Sequence, residues 1–342
     1  MDTHGKPGRA QRLAYLGSGM ELFLIFLVNT LLKVVTLGIY HFWAKARVRR
    51  YLWTHMEFDG ERLEYTGTGG ELFMGFLRAM AIMVLVMLAL FLVFQVSEIL
   101  GILVIMVAYI MSPAAIGMML YMASRYRLSR TRLRGIRFGL QGKAVEYGFK
   151  FFGYSLLTGL TLGIYKPYMS MHLASYALNN TWFGSQQAGF TGQGSDLIGR
   201  FMLAYGATFV GIVAGLVLAF SGLTFGEGII AGVIILLAIL LIWYWYSVEE
   251  MRYVVSHSSL GDMRFALQAS HGKMFMLSAT NLLLIVLTLG LAYAWVTVRT
   301  LRFMAHYTDI TGDMDYAAIQ QAQTQADALG EGMAELADVS AL

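Results

Sequence analysis

The sequence predicts an α-helical polytopic membrane protein with tandem internal repeats of about 125 residues and small cytoplasmic β-hairpins. Three observations support this fold class. Of the 342 residues, 57% are hydrophobic and 13% are charged, and this charged fraction is about half that of soluble domains. Several apolar runs approach the ~20 residues that a helix needs to cross a bilayer. Finally, a short motif recurs at nearly constant spacing, which indicates duplication.

The recurring motif is Thr-Leu-Gly followed by an aliphatic residue. Its copies begin at Thr36, Thr161 and Thr288, so the steps are 161 − 36 = 125 and 288 − 161 = 127 residues. A second marker, an acidic residue that opens an apolar run, keeps the 125-residue step in two pairs. These pairs are Glu21 with Glu146 and Glu71 with Asp196. Shared spacing of independent markers predicts that the chain is a multiple of one unit.

We therefore divide the chain into two complete repeat units, a partial third unit and a tail. Their predicted ranges are 1–135, 136–260, 261–316 and 317–342. The tail is polar and acidic, which is typical of a mobile helix or a disordered segment.

Each unit opens with a predicted strand motif. Apolar residues lie six and eight positions before the helix-opening residue, so they share one face of a strand. Asp59-Gly60 and Gly261-Asp262 supply turn residues, which favour strand hairpins. Because isolated hairpins are marginal in water, we expect these hairpins to pair into one small sheet.

A Thr-Leu-Gly segment follows, and then a helix with a basic face. Phe42, Ala46, Arg49 and Trp53 repeat at helical spacing, which predicts an amphipathic helix at the membrane surface. Each complete unit ends in two apolar runs with a tight turn. The Thr-Leu-Gly segments span 22–40, 147–165 and 275–293, and the paired runs span about 74–95 and 99–123, then 199–220 and 228–248.

The number of crossings depends on the Thr-Leu-Gly segments. If they span, the chain has seven crossings and inverted units, as in many transporters. If they are re-entrant, it has four crossings and parallel units. The linker 124–146 is strongly basic, whereas the turns 95–98 and 221–228 carry no basic residue. By the positive-inside rule, four crossings place every basic stretch, both termini and all strand motifs in the cytoplasm, so we favour this arrangement. It requires the glycine turns to be covered by protein or to line a cavity.

One long motif carries a family resemblance. The run Thr-Leu-Gly-Ile-Tyr-His-Phe-Trp-Ala-Lys-Ala-Arg-Val-Arg-Arg-Tyr (36–51), with Phe58-Asp59-Gly60 and Tyr65-Thr66-Gly67-Thr68-Gly69, resembles the YjgN-like family of bacterial inner-membrane proteins. The resemblance extends to about Gln321. It implies a multi-pass inner-membrane location and no particular activity, since the family is catalogued as a domain of unknown function. The second unit departs from the motif, because Lys166-Pro167-Tyr168 replaces His41-Phe42-Trp43 and the arginine cluster is missing.

Polar residues within the Thr-Leu-Gly segments are candidates for a solute path. Asn29 and Asn281 each lie seven residues before the motif threonine, and Lys33 and Lys150 lie in the same segments. A lysine at the centre of a membrane helix costs roughly 2.5–3.5 kcal/mol on insertion scales, so it usually faces a cavity or a partner. The alternative is that the lysines snorkel to headgroups and the amides join helices.

Two further residue sets are candidates. The re-entrant turn motif comprises Thr36, Gly38, Tyr40, Thr161, Gly163, Tyr165, Thr288 and Gly290. Candidates for binding anionic lipid headgroups, each contributing about 1 kcal/mol near the surface, are Lys45, Arg47, Arg49, Arg50, Arg130, Arg132 and Arg134. For this basic set, the alternative is that it only determines topology.

The composition excludes several function classes. Without cysteine there is no thiol catalysis or thiolate metal site, and the histidines show no metal-binding pattern. We find no catalytic set, so we expect neither an enzyme nor a cofactor. The net charge of +4 indicates membrane topology and not nucleic-acid binding; the expected partner is the bilayer, including anionic phospholipid. Two hypotheses remain: transport of a small polar or anionic solute, and a non-transport envelope scaffold that interacts with anionic lipid.

Overall fold

The computed structural model describes residues 13–221, 224–314, 316 and 319. Within these residues, the chain contains five helix hairpins, each of two helices joined by a turn. A strand precedes and a strand follows each hairpin. The helices are α1 (Gly19–Val35), α2 (His41–Thr54), α3 (Gly69–Val96), α4 (Glu98–Ser129), α5 (Ala144–Leu160), α6 (Lys166–Asn179), α7 (Ser195–Ala219), α8 (Phe225–Ser256), α9 (His271–Leu287) and α10 (Tyr293–Tyr307). The strands are β1 (Leu13–Tyr15), β2 (Met56–Phe58), β3 (Glu61–Tyr65), β4 (Thr131–Leu133), β5 (Ile136–Leu140), β6 (Thr181–Phe183), β7 (Gln186–Phe190), β8 (Ser258–Leu260), β9 (Met263–Leu267) and β10 (Thr308–Thr311).

The ten strands form one antiparallel sheet in sequence order, from β1 to β10. Tight turns join β2 to β3 and β4 to β5. In the first, Asp59 and Gly60 both have positive φ, and Arg134 and Gly135 do the same in the second, as a type I′ turn requires. Because β10 also lies against β1, the sheet curls into a ring.

Apolar side chains from all parts of the sheet meet in one core. The buried members are Phe58, Leu133, Phe183, Met263 and Ile310, from β2, β4, β6, β9 and β10. Residues beyond β10 join this core, since Met314 and Ile319 are buried in it. The ring is therefore filled by side chains, including those of Met314 and Ile319. Apart from Ile319, the tail predicted at 317–342 lies outside the described residues.

Helices pack around the same circle. α2 packs against α3, α4 against α5, and α10 against α1. Glycines allow the close approach, because a Cβ added at Gly69 would overlap Trp43, and one added at Gly19 would overlap Trp295. The first and last helices, α1 and α10, therefore meet through the same kind of glycine–tryptophan contact that joins α3 to α2. This contact completes the ring.

Helix length divides the five helix hairpins into two kinds. Among the described residues, four helices are long and apolar enough to cross a membrane, namely α3, α4, α7 and the Gly226–Ser256 part of α8. We call α3–α4 and α7–α8 the long hairpins. The hairpins α1–α2, α5–α6 and α9–α10, whose first helices have 17 residues each, are the short hairpins.

The predicted basic face of α2 is wrong in one respect. Phe42 and Ala46 do share a buried face, packed with Leu72 and Tyr126. Arg49, however, lies on this face and is only 2% exposed; its Nη1 atom is 3.5 Å from the hydroxyl of Tyr65. Arg49 therefore faces the protein and not the membrane surface, because α2 is packed against the neighbouring hairpin.

Candidate functional site

The three Thr-Leu-Gly turns have the same geometry. In the first turn, the Leu37 N–H donates to Val34 O (3.2 Å) and the Gly38 N–H to Lys33 O (2.7 Å). This is the Schellman pattern that ends many helices. The Thr36 hydroxyl donates to Leu32 O (2.7 Å) and accepts the Tyr40 N–H (3.0 Å). The turns at Thr161 and Thr288 repeat these bonds, so the motif satisfies its own backbone.

The leucine of each turn is held in an unfavourable backbone conformation. Leu37, Leu162 and Leu289 have φ of 50°, 51° and 49°, at a Schellman position where glycine or asparagine is usual. A non-glycine residue in this region costs roughly 1–2 kcal/mol. The three leucines are nevertheless 93%, 79% and 94% exposed. Within the described residues, the protein therefore presents a bare apolar side chain at the tip of each short hairpin.

This exposure corrects one expectation. The turns at Gly38, Gly163 and Gly290 were expected to be covered by protein or to line a cavity. A Cβ added at Gly38 or Gly290 would meet nothing within 4 Å, and one at Gly163 would meet only Tyr205. The Schellman and threonine bonds satisfy backbone N–H groups of each turn without surrounding protein. In the second turn, the Tyr205 hydroxyl of α7 also donates to Leu162 O (2.9 Å).

Charged residues on the long helices give a reference level for comparing the lengths of the long and short hairpins. Arg78 is the last charged residue before the apolar part of α3, seven residues after Glu71. Beyond it, residues 79–96 extend about 27 Å at the α-helical rise, close to the ~30 Å hydrocarbon core. Counting seven residues from Glu21 reaches Val28 in α1. Residues 28–35 extend only about 12 Å beyond this level, which is less than half of the core.

Long and short hairpins begin with the same hydrogen bond, which we call the corner pair. A tyrosine on the second helix donates to an acid at the start of the first. The distances from Tyr51 to Glu21 Oε2 and from Tyr126 to Glu71 Oε2 are both 2.9 Å. Corresponding bonds join Tyr176 to Glu146 (3.2 Å) and Tyr253 to Asp196 (2.5 Å). Sequence reasoning found the acids but missed the tyrosines.

The fifth hairpin lacks this corner pair. Lys273 replaces the acid, and Phe303 occupies the position of the tyrosine, seven residues before Ile310 as Tyr51 is before Phe58. The Lys273 ammonium instead lies 4.8 Å from the centre of the Tyr307 ring. A cation–π contact thus replaces the tyrosine–acid bond in α9–α10.

Burial affects the titration of the corner tyrosines. It raises the pKa of the Tyr51 phenol above its usual value of 10.0, and the hydrogen bond to Glu21 raises it further. Burial likewise raises the pKa of Tyr176. Both effects favour the neutral phenol, which donates to the carboxylate.

The two candidate asparagines join helices within their own hairpins. The buried Asn29 donates through Nδ2 to Ala44 O on α2 (3.4 Å). The buried Asn281 donates to Thr300 Oγ1 on α10 (3.0 Å) and accepts from Arg299 (3.4 Å). Each amide thus takes part in a helix–helix contact, which is the structural alternative stated for these residues.

The two candidate lysines lie at different levels of their helices. Lys33 is partly exposed in the last turn of α1, near the tip. Lys150 is the seventh of the 17 residues of α5, 3.6 Å from Glu146 and 5.5 Å from the centre of the Tyr176 ring. The two lysines therefore do not occupy equivalent positions. The solute path stays a prediction, since the apolar groove in the described structure is lined by none of the four candidate residues.

The headgroup candidates divide by exposure. Arg47 and Arg50 are exposed, and Lys45 is partly exposed. Arg130 lies 3.1 Å from Glu71, so it belongs to the corner of α3–α4. Arg134 lies 3.8 Å from Asp59 and 4.2 Å from the centre of the Tyr316 ring.

Arg132 is paired in the sheet. It lies opposite Glu64 in β3 and Arg137 in β5. Together with the buried Arg49, these positions leave α2 as the element with the most exposed cations among the candidates, so headgroup binding is best sought there.

One ionic cluster was missed by sequence reasoning. Glu249 on α8, with a side chain only 14% exposed, lies 2.7 Å from Arg200 on α7 and 2.6 Å from His271 on α9. It therefore links the second long hairpin to the third short hairpin. A third partner, Arg252, follows Glu249 at i+3 and lies 3.5 Å away. Arg200 and His271 are distant in sequence, so no local signal indicated the link between the two hairpins.

Comparison with known proteins identifies the family. The family model described as "Bacterial protein of unknown function (DUF898)" matches residues 10–336. The chain belongs to this family. The DUF898 chain is also 30% identical over 136 residues to inner membrane protein YjgN of Salmonella typhimurium strain LT2, covering 40% of the chain and 33% of that protein. It is 48% identical over 61 residues to YjgN of Escherichia coli K12, covering 18% of the chain and 15% of that protein.

These matches confirm the resemblance to the YjgN-like family that the Thr-Leu-Gly motif predicted. The aligned segments span a third or less of the length of these relatives. No solved structure matches the chain. The relatives are named as inner membrane proteins, in agreement with a mostly helical chain that has four membrane-length helices.

Proposed function

We propose that the protein is a non-transport scaffold of the bacterial inner membrane that inserts three apolar hairpin tips into the cytoplasmic leaflet. The observation that carries this proposal is the tip leucine. Leu37, Leu162 and Leu289 are exposed and adopt a backbone conformation in which glycine would be easier. An exposed leucine at this conformational cost is useful where its surroundings are lipid.

The orientation follows from charge. Both long hairpins leave the strand ring and return to it, so the ring and the short hairpins share one side. The basic residues of 45–50 and of 124–146 lie on that side, and the turns 95–98 and 221–228 have none. The positive-inside rule then makes the ring cytoplasmic, with four crossings.

The order of elements supports an origin by duplication. The corner acids lie 50 or 75 residues apart in the first four hairpins, since 71 − 21 = 50, 146 − 71 = 75 and 196 − 146 = 50. A duplicated unit of about 125 residues would therefore contain one short and one long hairpin. In this scheme α9–α10 is a third short hairpin and β10 provides the last strand.

Transport has less support than scaffolding. Each long helix packs mainly on its hairpin partner or on a short hairpin, as α3 does on α4 and α2. In each long helix, at most 11% of the most apolar 18-residue stretch is buried within the protein. Such helices face lipid and do not enclose a path by themselves, within the part of the chain that the structure describes.

The physical consequence of the proposal is asymmetric insertion. Three tips would add volume to one leaflet, and four helices would add equal volume to both. Shallow apolar insertion is sensitive to curvature and lipid packing. The protein should therefore concentrate where its cytoplasmic leaflet is expanded.

A curvature assay tests this function. The full chain, labelled on the strand ring, would be inserted from detergent into preformed giant vesicles with the ring outside, and protease access would check the orientation. Membrane tubes would then be pulled outward, and protein density on tube and vesicle compared. We expect enrichment on the tube, whereas equal density would contradict the proposal.

Asparagine provides the matched variant. Leu37→Asn, Leu162→Asn and Leu289→Asn together remove the apolar tips but suit the left-handed backbone. We expect this triple variant to melt no lower than wild type in detergent and to lose its enrichment on tubes. The triple Leu→Met variant keeps the tips apolar, so it should stay enriched. Retained enrichment in the asparagine variant would exclude the tips as the cause.

A further inference from the structure

The third short hairpin differs from the other two at one position beside its turn. Four residues after the motif threonine, the first two hairpins carry Tyr40 and Tyr165, and the third carries Ala292. The Tyr40 ring stacks on Trp43 at 6.4 Å, and the Tyr165 ring stacks on Tyr168 at 5.4 Å. The third hairpin keeps an aromatic residue, Trp295, at the position of Trp43 and Tyr168, but it lacks the ring that Tyr40 and Tyr165 provide.

An open groove lies where that ring is missing. Its volume is about 770 Å³. The surrounding side chains come from α1, α9, α10 and the turn, and apart from Thr288 they are apolar. They include Phe23, Leu284, Leu287, Leu291, Ala292 and Trp295. Phe23 packs beside Trp295 at 4.9 Å, which fixes one wall.

A cation lies one helical turn from this groove. Arg299 follows Trp295 by four residues, so the two share a face of α10. Arg299 is exposed, and one of its nitrogens donates to Asn281 Oδ1 at 3.4 Å. A guanidinium has five N–H donors, so this bond positions the group and leaves donors for a phosphate.

The groove and the cation lie in the same order of depth as the acyl chains and the phosphate of a single lipid. α10 runs from the tip at Tyr293 toward the strand ring, so Arg299 lies nearer the ring than Trp295 by about 6 Å. A phospholipid in the cytoplasmic leaflet has the same order, with its phosphate near the surface and its acyl chains deeper. Basic sites at the cytoplasmic side of membrane helices bind such headgroups.

We propose that the groove beside Ala292 binds an acyl chain of a phospholipid whose phosphate is bound by Arg299. This inference rests on the proposed insertion of α9–α10 into the cytoplasmic leaflet. It assigns lipid binding to one hairpin of three. It also gives the alanine a role, because a tyrosine at this position would fill the site.

The backbone allows this substitution to be made cleanly. Ala292 has φ −74° and ψ 1°, close to φ −74° and ψ −6° at Tyr165 and φ −64° and ψ −10° at Tyr40. Ala292→Tyr should therefore fold as the sister hairpins do. The reciprocal change, Tyr40→Ala, should open a groove beside Trp43, with Arg47 in the place of Arg299.

Photo-crosslinking tests the proposal. The full chain would be reconstituted with phosphatidylglycerol that carries a diazirine in one acyl chain, and adducts would be mapped by mass spectrometry. We expect adducts on 284–295 to exceed those on 32–43 and 157–168. Ala292→Tyr should reduce them to the level of the other hairpins, and Arg299→Gln should reduce them about fivefold. Tyr40→Ala should raise adducts on 32–43.

The outcomes separate this proposal from the proposed function. Equal adducts on all three tips, or adducts that persist in Ala292→Tyr, would overturn the groove site and leave tip insertion standing. Absence of adducts from every tip would overturn both. The melting temperature of each variant in detergent would show whether a loss of adducts reflects unfolding.

Discussion

The short and long hairpins begin alike and end differently. Except for α9–α10, the hairpins of both kinds start at a corner pair, as in Tyr51 with Glu21 and Tyr126 with Glu71. A short hairpin ends in a Schellman turn with an exposed leucine, whereas α3–α4 ends at Ser97, whose side chain accepts from Leu100 N. The comparison teaches that one kind of base carries hairpins of two lengths, which in the proposed arrangement reach two depths of the membrane. The position of the turn sets the depth.

Truncation of a buried leucine in the shared base should destabilise both kinds of hairpin by a similar amount. Leu22 and Leu72 each follow a corner acid, and they are 0% and 2% exposed. We expect Leu22→Ala and Leu72→Ala each to lower the unfolding free energy by about 2–5 kcal/mol, through lost burial and a residual cavity. The lipid-facing Leu85 is 63% exposed, so Leu85→Ala should have little effect. Unfolding in mixed micelles would measure all three, and a tolerated Leu22→Ala would contradict a common base.

The corner pairs should differ in strength with burial. Tyr126 is fully buried, and its hydroxyl donates to a carboxylate, so Tyr126→Phe should cost about 1.5–3 kcal/mol. The side chain of Glu21 is 61% exposed, and water competes for it. Tyr51→Phe should therefore cost less than Tyr126→Phe, by the same unfolding assay. The Tyr51 hydroxyl also accepts the Ser18 N–H (2.8 Å), so equal costs would mean that exposure of the acid does not decide the cost of removing the hydroxyl.

A glycine-to-alanine substitution should destabilise the protein in the turn and stabilise it in the adjacent helix. Gly163 has φ 97°, where alanine is strained, so Gly163→Ala should destabilise by about 1 kcal/mol. Gly159 is in α5, and a Cβ there would meet nothing within 4 Å. Gly159→Ala should stabilise by about 0.5–1 kcal/mol. If both variants destabilise, strain in the turn is not the cause.

Alkaline pH should produce the smallest effect. The folded-state pKa of Tyr51 is raised above 10.0 by burial, so the fold favours the neutral phenol. The stability from this group is complete below pH 10 and falls as pH rises through the higher folded-state pKa. We expect Tyr51→Phe to flatten the decline of the melting temperature above pH 10. A decline unchanged in this variant would exclude Tyr51 as a contributor.

Local patterns predicted the helices and missed the ring. The helix-opening residues Glu21, Glu71 and Glu146 lie in the first turns of α1, α3 and α5, because apolar periodicity and an acidic first turn are local signals. Ring closure depends on contacts such as Trp295 with Gly19 and β10 with β1. These join opposite ends of the chain, so no spacing indicated them.

The site was predicted in part for a similar reason. The Thr-Leu-Gly turns were found, since the motif is short and recurs. The exposure of Leu37 was not found, because sequence cannot show that hydrogen bonds within the turn replace surrounding protein. Arg49 was misplaced since its helical face carries both apolar and basic residues, and packing against α3 decided which way it faces.

Topology and depth of the tips test the central claim most directly. The chain has no cysteine, so single cysteines can be placed at Leu37, Leu162, Leu289, Ser97 and Thr224. An impermeant thiol reagent in intact cells should label only Ser97→Cys and Thr224→Cys. Probes attached at the three tips should be quenched by lipids brominated within the cytoplasmic leaflet. Labelling of the tips from outside would instead establish seven crossings and contradict insertion into one leaflet.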